Sequence, residues 1–157
     1  MNLPVPEGTT HICLLQDDAV VPKHFKEWCE KMTDKYPEEI FALYNHKAKL
    51  PIPYGCVFTL RCNIGGVAMI IPVEYIPKII ETQERDCPDA IDDDLMVCNW
   101  AYDNGVRMLC PWPSIVDTGT DTYMEHVAKG KIHFCDDTEK YHWANATNFR
   151  FGGKKKK

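Results

Sequence analysis

The sequence predicts an α/β fold: a single layered domain with a mixed sheet flanked by helices. Short apolar runs alternate with amphipathic stretches at helical spacing, the pattern of sheet and helix layers around one core. The 157 residues are 45% hydrophobic and 26% charged, ordinary values for one globular domain. The longest apolar runs, such as residues 67–72, fall far short of the roughly 20 residues a membrane span needs.

His11 to Leu15 (HICLL) is an apolar run and predicts a buried strand, stopped by Gln16-Asp17-Asp18. After Pro22, the residues Phe25, Trp28, Cys29 and Met32 recur at helical spacing. They predict an amphipathic helix of about three turns, opened by Pro22 and ended by Tyr36-Pro37. Ile40 to Tyr44 predicts a second strand, and residues 45–55, with two prolines, a loop. Residues 56–60 alternate weakly. Residues 65–71 (GGVAMII) read as a buried strand reached through a glycine pair and broken by Pro72. Residues 73–84 predict a helix with Tyr75, Ile76, Ile79 and Ile80 on one face. An acidic loop over 85–94 leads to a helix over 95–104 that carries Leu95, Cys98 and Tyr102 inward. Asn104-Gly105 is its C-terminal cap. Residues 106–110 (VRMLC) form the next strand, before Trp112-Pro113-Ser114. The domain is expected over residues 1–150, followed by a basic flexible tail over 151–157 that contains four consecutive lysines.

The net charge of −5 and a pI of about 5.6 disfavour broad electrostatic capture of nucleic acid. The polar, Pro/Gly-rich start lacks the basic region of a signal peptide, so a soluble, cytoplasmic protein is expected, with no membrane partner. Eight cysteines occur without a single CxxC spacing, which leaves zinc fingers and thioredoxin-like motifs unsupported. They read as reduced thiols, mostly small core hydrophobes.

Two acidic clusters stand where α/β sheets place chemistry. Asp17-Asp18 follows a strand directly, and ligands of open α/β sheets gather at the carboxyl ends of strands. Adjacent carboxylates there suit a hard divalent cation such as Mg²⁺ or Mn²⁺, shared with substrate phosphates. A solvated turn or a helix cap explains the same pair without function. Asp92-Asp93-Asp94 opens a helix, where capping and the helix dipole favour acids. A carboxylate crowded by like charges is also suited to take a proton from an acceptor hydroxyl.

The pattern as a whole is more informative. It runs Leu15-Gln16-Asp17-Asp18-Ala19-Val20, then Phe25. Gly65-Gly66-Val67-Ala68-Met69-Ile70-Ile71-Pro72 comes next, then Asp94-Leu95 with Trp100. Trp112-Pro113-Ser114-Ile115-Val116-Asp117 follows, and lastly His126. In order and spacing this resembles the catalytic part of GT-A-type glycosyltransferases, closest to small phage and bacterial members, over about residues 10–135. The resemblance implies transfer of a sugar from a nucleotide sugar to an acceptor hydroxyl, with Mn²⁺ or Mg²⁺ as cofactor. Carried over by position, Asp18 and His126 are the implied metal ligands. Asp17, Gly65, Gly66 and Trp112 are the implied donor contacts. Asp94, with Asp93 second, is the implied catalytic base. The implied acceptors are a glycan, a protein or a modified DNA base. Phage relatives would place the chain in the host cytoplasm as a DNA-modifying enzyme.

One departure stands out. In GT-A folds a segment that binds the nucleotide base precedes the Asp-Asp strand, whereas only 15 residues precede Gln16. The resemblance is thus to the C-terminal, catalytic portion of a shortened fold. A partner chain or homodimer mate would complete the donor site, unless the domain is a minimal form or a relic with another role. The alternative function is a non-catalytic subunit or binding module. A two-metal nuclease or phosphatase using Asp17, Asp18 and Asp92–Asp94 ranks third, because it leaves Gly65-Gly66 and Trp112-Pro113-Ser114 without a role.

Overall fold

A computed structural model describes residues 4–44, 56–60, 68–86, 93–112 and 114–118. The α/β class is as the sequence predicts. The strands are β1 (His11–Leu15), β2 (Ala19–Val20), β3 (Ile40–Ala42), β4 (Cys56–Leu60), β5 (Ala68–Pro72), β6 (Met108–Trp112) and β7 (Asp117–Thr118). The helices are α1 (Phe25–Lys35), α2 (Ile76–Asp86) and α3 (Asp93–Asp103), with a 3-10 turn at Val73–Tyr75 ahead of α2. Five strands form one mixed sheet in the order β1-β5-β3-β6-β4, and β2 and β7 pair separately. The expectations for residues 45–55 and for the 151–157 tail fall outside the described residues.

Side chains on a strand alternate between its two faces, and here the alternation divides the core in two. Phe41 and Leu43, Ala68 and Ile70, and Leu109 join Trp28 and Met32 of α1 in one cluster. Ile40 and Ala42, Met69 and Ile71, and Met108 and Cys110 face Ile79 of α2 and Val97, Cys98, Trp100 and Ala101 of α3 in the other. The sheet is therefore sandwiched, with α1 on one face and α2 and α3 on the opposite face. Trp28 meets Phe41 edge-on at 6.3 Å between centroids, and Tyr75 lies 5.1 Å from Trp100. Glu39, almost fully buried, accepts a 2.7 Å hydrogen bond from Arg107 Nε and pairs with its guanidinium. This clamp sits where β3 and β6 begin, beside the 3.1 Å bond from the Ile40 N–H to the Arg107 carbonyl.

Several expectations need correction. The strand over 11–15 is not buried: β1 is the sheet edge, and Leu14 and Leu15 are 47% and 45% exposed. An edge strand has a strand neighbour on one side only, so an apolar run there is covered less completely than in the centre. Helix α1 opens at Phe25 rather than at Pro22, because His24 takes a left-handed conformation at φ 57° and breaks helical continuity. Ile80 is 47% exposed, since only Ile79 of the pair faces the sheet. Helix α3 starts at Asp93, so Asp93 and Asp94 belong to its first turn, where the dipole favours acids, and not to the preceding loop. Among its described side chains Val97, Cys98, Trp100 and Ala101 are buried, whereas Tyr102 is 61% exposed; the expectation for Leu95 falls outside them.

The cap at Asn104-Gly105 forms as predicted. Gly105 sits at φ 70°, its N–H bonds the Tyr102 carbonyl at 3.3 Å, and the Val106 N–H bonds the Ala101 carbonyl at 2.9 Å. That is a Schellman closure, which needs a residue tolerant of positive φ at the glycine.

Candidate functional site

Pairing directions put several ends together. β1 is antiparallel to β5, β5 to β3, and β3 is parallel to β6. β1, β3 and β6 thus run the same way and finish at one end of the sheet. There the chain leaves β1 through Gln16-Asp17-Asp18, closed by a 3.1 Å bond from the Ala19 N–H to the Gln16 carbonyl. Asp17 is exposed and Asp18 half-buried. Leu15 pairs with Ala68, so β5 starts beside the acidic turn.

Residues 114–118 fold back to the same place. The Leu43 carbonyl, just past β3, accepts from the Ile115 and Val116 N–H groups at 2.9 and 3.2 Å. Ser114, Ile115 and Val116 are fully buried. The chain then pairs as β7 with β2, Asp117 opposite Val20 and Thr118 opposite Ala19. Residues a hundred positions apart in sequence thereby flank the Asp17-Asp18 turn. Nothing in the sequence around Ser114 and Asp117 marks a role for either. The two-residue strands that fix their position are too short to show a hydrophobic period.

The remaining predicted residues divide as follows. Asp93 and Asp94 are the first two residues of α3. The capped reversal over residues 104–107 returns α3 antiparallel into β6, with the Cys98 and Met108 sulfurs 3.7 Å apart. The first turn of α3 accordingly lies toward the Trp112 end of β6. Trp112 closes β6, its backbone paired with Cys56. Gly65, Gly66 and His126 lie outside the described residues, as do the side chains of Asp93, Asp94 and Trp112.

Two adjacent carboxylates at an open strand end have the donor chemistry of Mg²⁺ or Mn²⁺, which take one or two carboxylates and fill their shell with water and phosphate. Among the described residues no third His, Cys, Asp or Glu joins Asp17 and Asp18 to form a closed metal site. A groove of about 300 Å³ runs along α2 and the last turn of α3, lined by Lys78, Glu81, Thr82, Arg85, Trp100 and Asp103 among others. It touches none of the predicted site residues.

No protein-family model matches the chain, and no curated protein does. No described helix is long and apolar enough to cross a membrane.

Proposed function

We propose that this chain is a metal-dependent glycosyltransferase of GT-A type, or the catalytic half of one, acting on a nucleotide sugar. The observation that carries the reading is the β2–β7 pairing. It draws residues 114–118 beside the Asp17-Asp18 turn at the carboxyl ends of β1, β3 and β6.

In this reading Asp18, with His126, holds Mn²⁺ or Mg²⁺, and Asp17 contacts the ribose or donor sugar. The ion supplies charge neutralisation for the departing nucleoside diphosphate. Gly65-Gly66 lets the backbone approach the donor, and Trp112 offers a face on which a sugar stacks. Asp94, with Asp93 in reserve, accepts the proton of the acceptor hydroxyl. The acceptor is a glycan, a protein or a modified DNA base.

The test is release of nucleoside diphosphate from UDP-, GDP-, dTDP- and CDP-sugars with Mn²⁺, over a panel of acceptors. Turnover with one donor, lost in Asp18→Ala and in Asp94→Asn, is the expected result. Turnover that survives Asp18→Ala removes the metal role.

A second reading is a non-catalytic subunit that keeps the fold. It is favoured by the apolar, half-open β1 edge beside the acidic turn, a surface on which a partner chain can dock. Binding of donor without turnover against every acceptor would support it.

A further inference from the structure

The eight cysteines carry no spacing motif, yet the fold brings two of them together. Cys13 lies on the edge strand β1, opposite Ile70 of β5. Residues directly opposite on paired strands point to the same face, and Ile70 belongs to the core beneath α1. Cys29, one turn into α1, packs on that same core. Both thiols therefore lie on the α1 side of the sheet, and each perturbs the ionisation of the other. Cys13 is exposed and Cys29 half-buried, whereas Cys98 and Cys110 are fully enclosed.

We propose that Cys13 and Cys29 form a reversible disulfide, made by exchange with a small-molecule disulfide of the glutathione type. The difference in exposure assigns the roles: Cys13 is open to a small disulfide, and Cys29 is half-buried behind it. The neighbouring Cys29 thiol also lowers the Cys13 pKa below the usual thiol value, whereas Cys13 and burial push Cys29 up. The exposed thiolate is the attacking group.

Cys13 Sγ attacks one sulfur of the small disulfide. The S–S bond breaks, one thiolate leaves, and a mixed disulfide forms on Cys13. Cys29 then gives its proton to the departing thiolate and attacks Cys13 Sγ, expelling the second small thiol. Two cysteine thiols are oxidised, one small disulfide is reduced to two thiols, and both protons end on the products. The resulting bridge ties β1 to α1 and closes the loop that contains Asp17-Asp18 and β2. It stands apart from the glycosyltransferase reading and holds whatever the acidic turn binds.

The experiment treats the full chain with oxidised glutathione, blocks the remaining thiols by alkylation, and maps disulfide-linked peptides by mass spectrometry. The expected result is one peptide pair joining Cys13 to Cys29, reversed by dithiothreitol. Cys29→Ser should stop at a mixed disulfide on Cys13, and Cys13→Ser should give neither product at these positions. Cys13 is exposed, so Cys13→Ser keeps the fold and serves as the matched control. Glutathione that stays on Cys13 in the unsubstituted chain overturns the proposal, as does a bridge that joins either cysteine to another partner.

Discussion

β3, β5 and β6 bury their side chains on both faces of the sheet, whereas β1 pairs on one side only and leaves Leu14 and Leu15 nearly half exposed. Both regions are apolar runs in the sequence. The central strands are fixed from every direction and contribute packing. The edge strand is held by one ladder, and it delivers the acidic turn and an accessible thiol to the surface. The difference teaches that stability and chemistry occupy separate parts of this sheet. Substitutions should therefore separate them too.

The largest effects belong to the centre. Phe41→Ala removes the ring that Trp28 and Tyr36 pack against, and should cost about 3–5 kcal/mol in denaturant unfolding. Leu109→Ala, in the same cluster, should cost about 2–5 kcal/mol. Leu14→Ser, on the edge, should stay within about 0.5 kcal/mol of the parent. A Leu14→Ser loss comparable to that of Leu109→Ala would erase the distinction.

Arg107→Ala strips the partner from the nearly buried Glu39 and should cost about 1–3 kcal/mol. Urea titration of the variant beside the Glu39→Gln/Arg107→Ala double variant checks that the loss comes from the orphaned carboxylate. Gly105→Ala forces a side chain to φ 70° and should cost about 1–2 kcal/mol, although the space around it is open. Thermal melts read that loss without interference from packing.

The smallest effect is electrostatic and sits at the edge. Burial lowers the His11 pKa below 6.5, outweighing the hydrogen bond its Nε2 donates to the Pro37 carbonyl at 3.1 Å and the charge of Asp34. The folded state thus binds the proton less readily than the unfolded chain. Its contribution is intact above about pH 6.5 and declines as pH falls through that value toward the folded pKa. A His11→Gln variant should lose this part of the pH slope while the rest of the profile is unchanged.

Much of the centre was legible in the sequence. The runs at 40–44 and 65–71 are apolar at every inward position of both faces, and Phe25, Trp28, Cys29 and Met32 mark the buried side of α1. Asn104-Gly105 named its cap. The edge position of β1 was not legible, because HICLL has the composition of a central strand and only its nonlocal pairing shows what lies beside it. Asp93 and Asp94 sit at a boundary whose exact position was not legible, although the helix dipole marks their acids as suited to a first turn. At the candidate site, the Asp17-Asp18 turn was marked by its place after a strand. The β2–β7 pairing beside it was hidden, since two-residue strands carry no period and depend on contacts across a hundred residues.

The most direct test of the central claim is calorimetric titration of the full chain with UDP, GDP, dTDP and CDP, with and without Mn²⁺. The glycosyltransferase account predicts metal-dependent binding of one nucleotide, abolished by Asp18→Ala and retained in Leu14→Ser. Failure to bind any of the four, or binding that Asp18→Ala leaves intact, would contradict a metal–nucleotide site at the acidic turn.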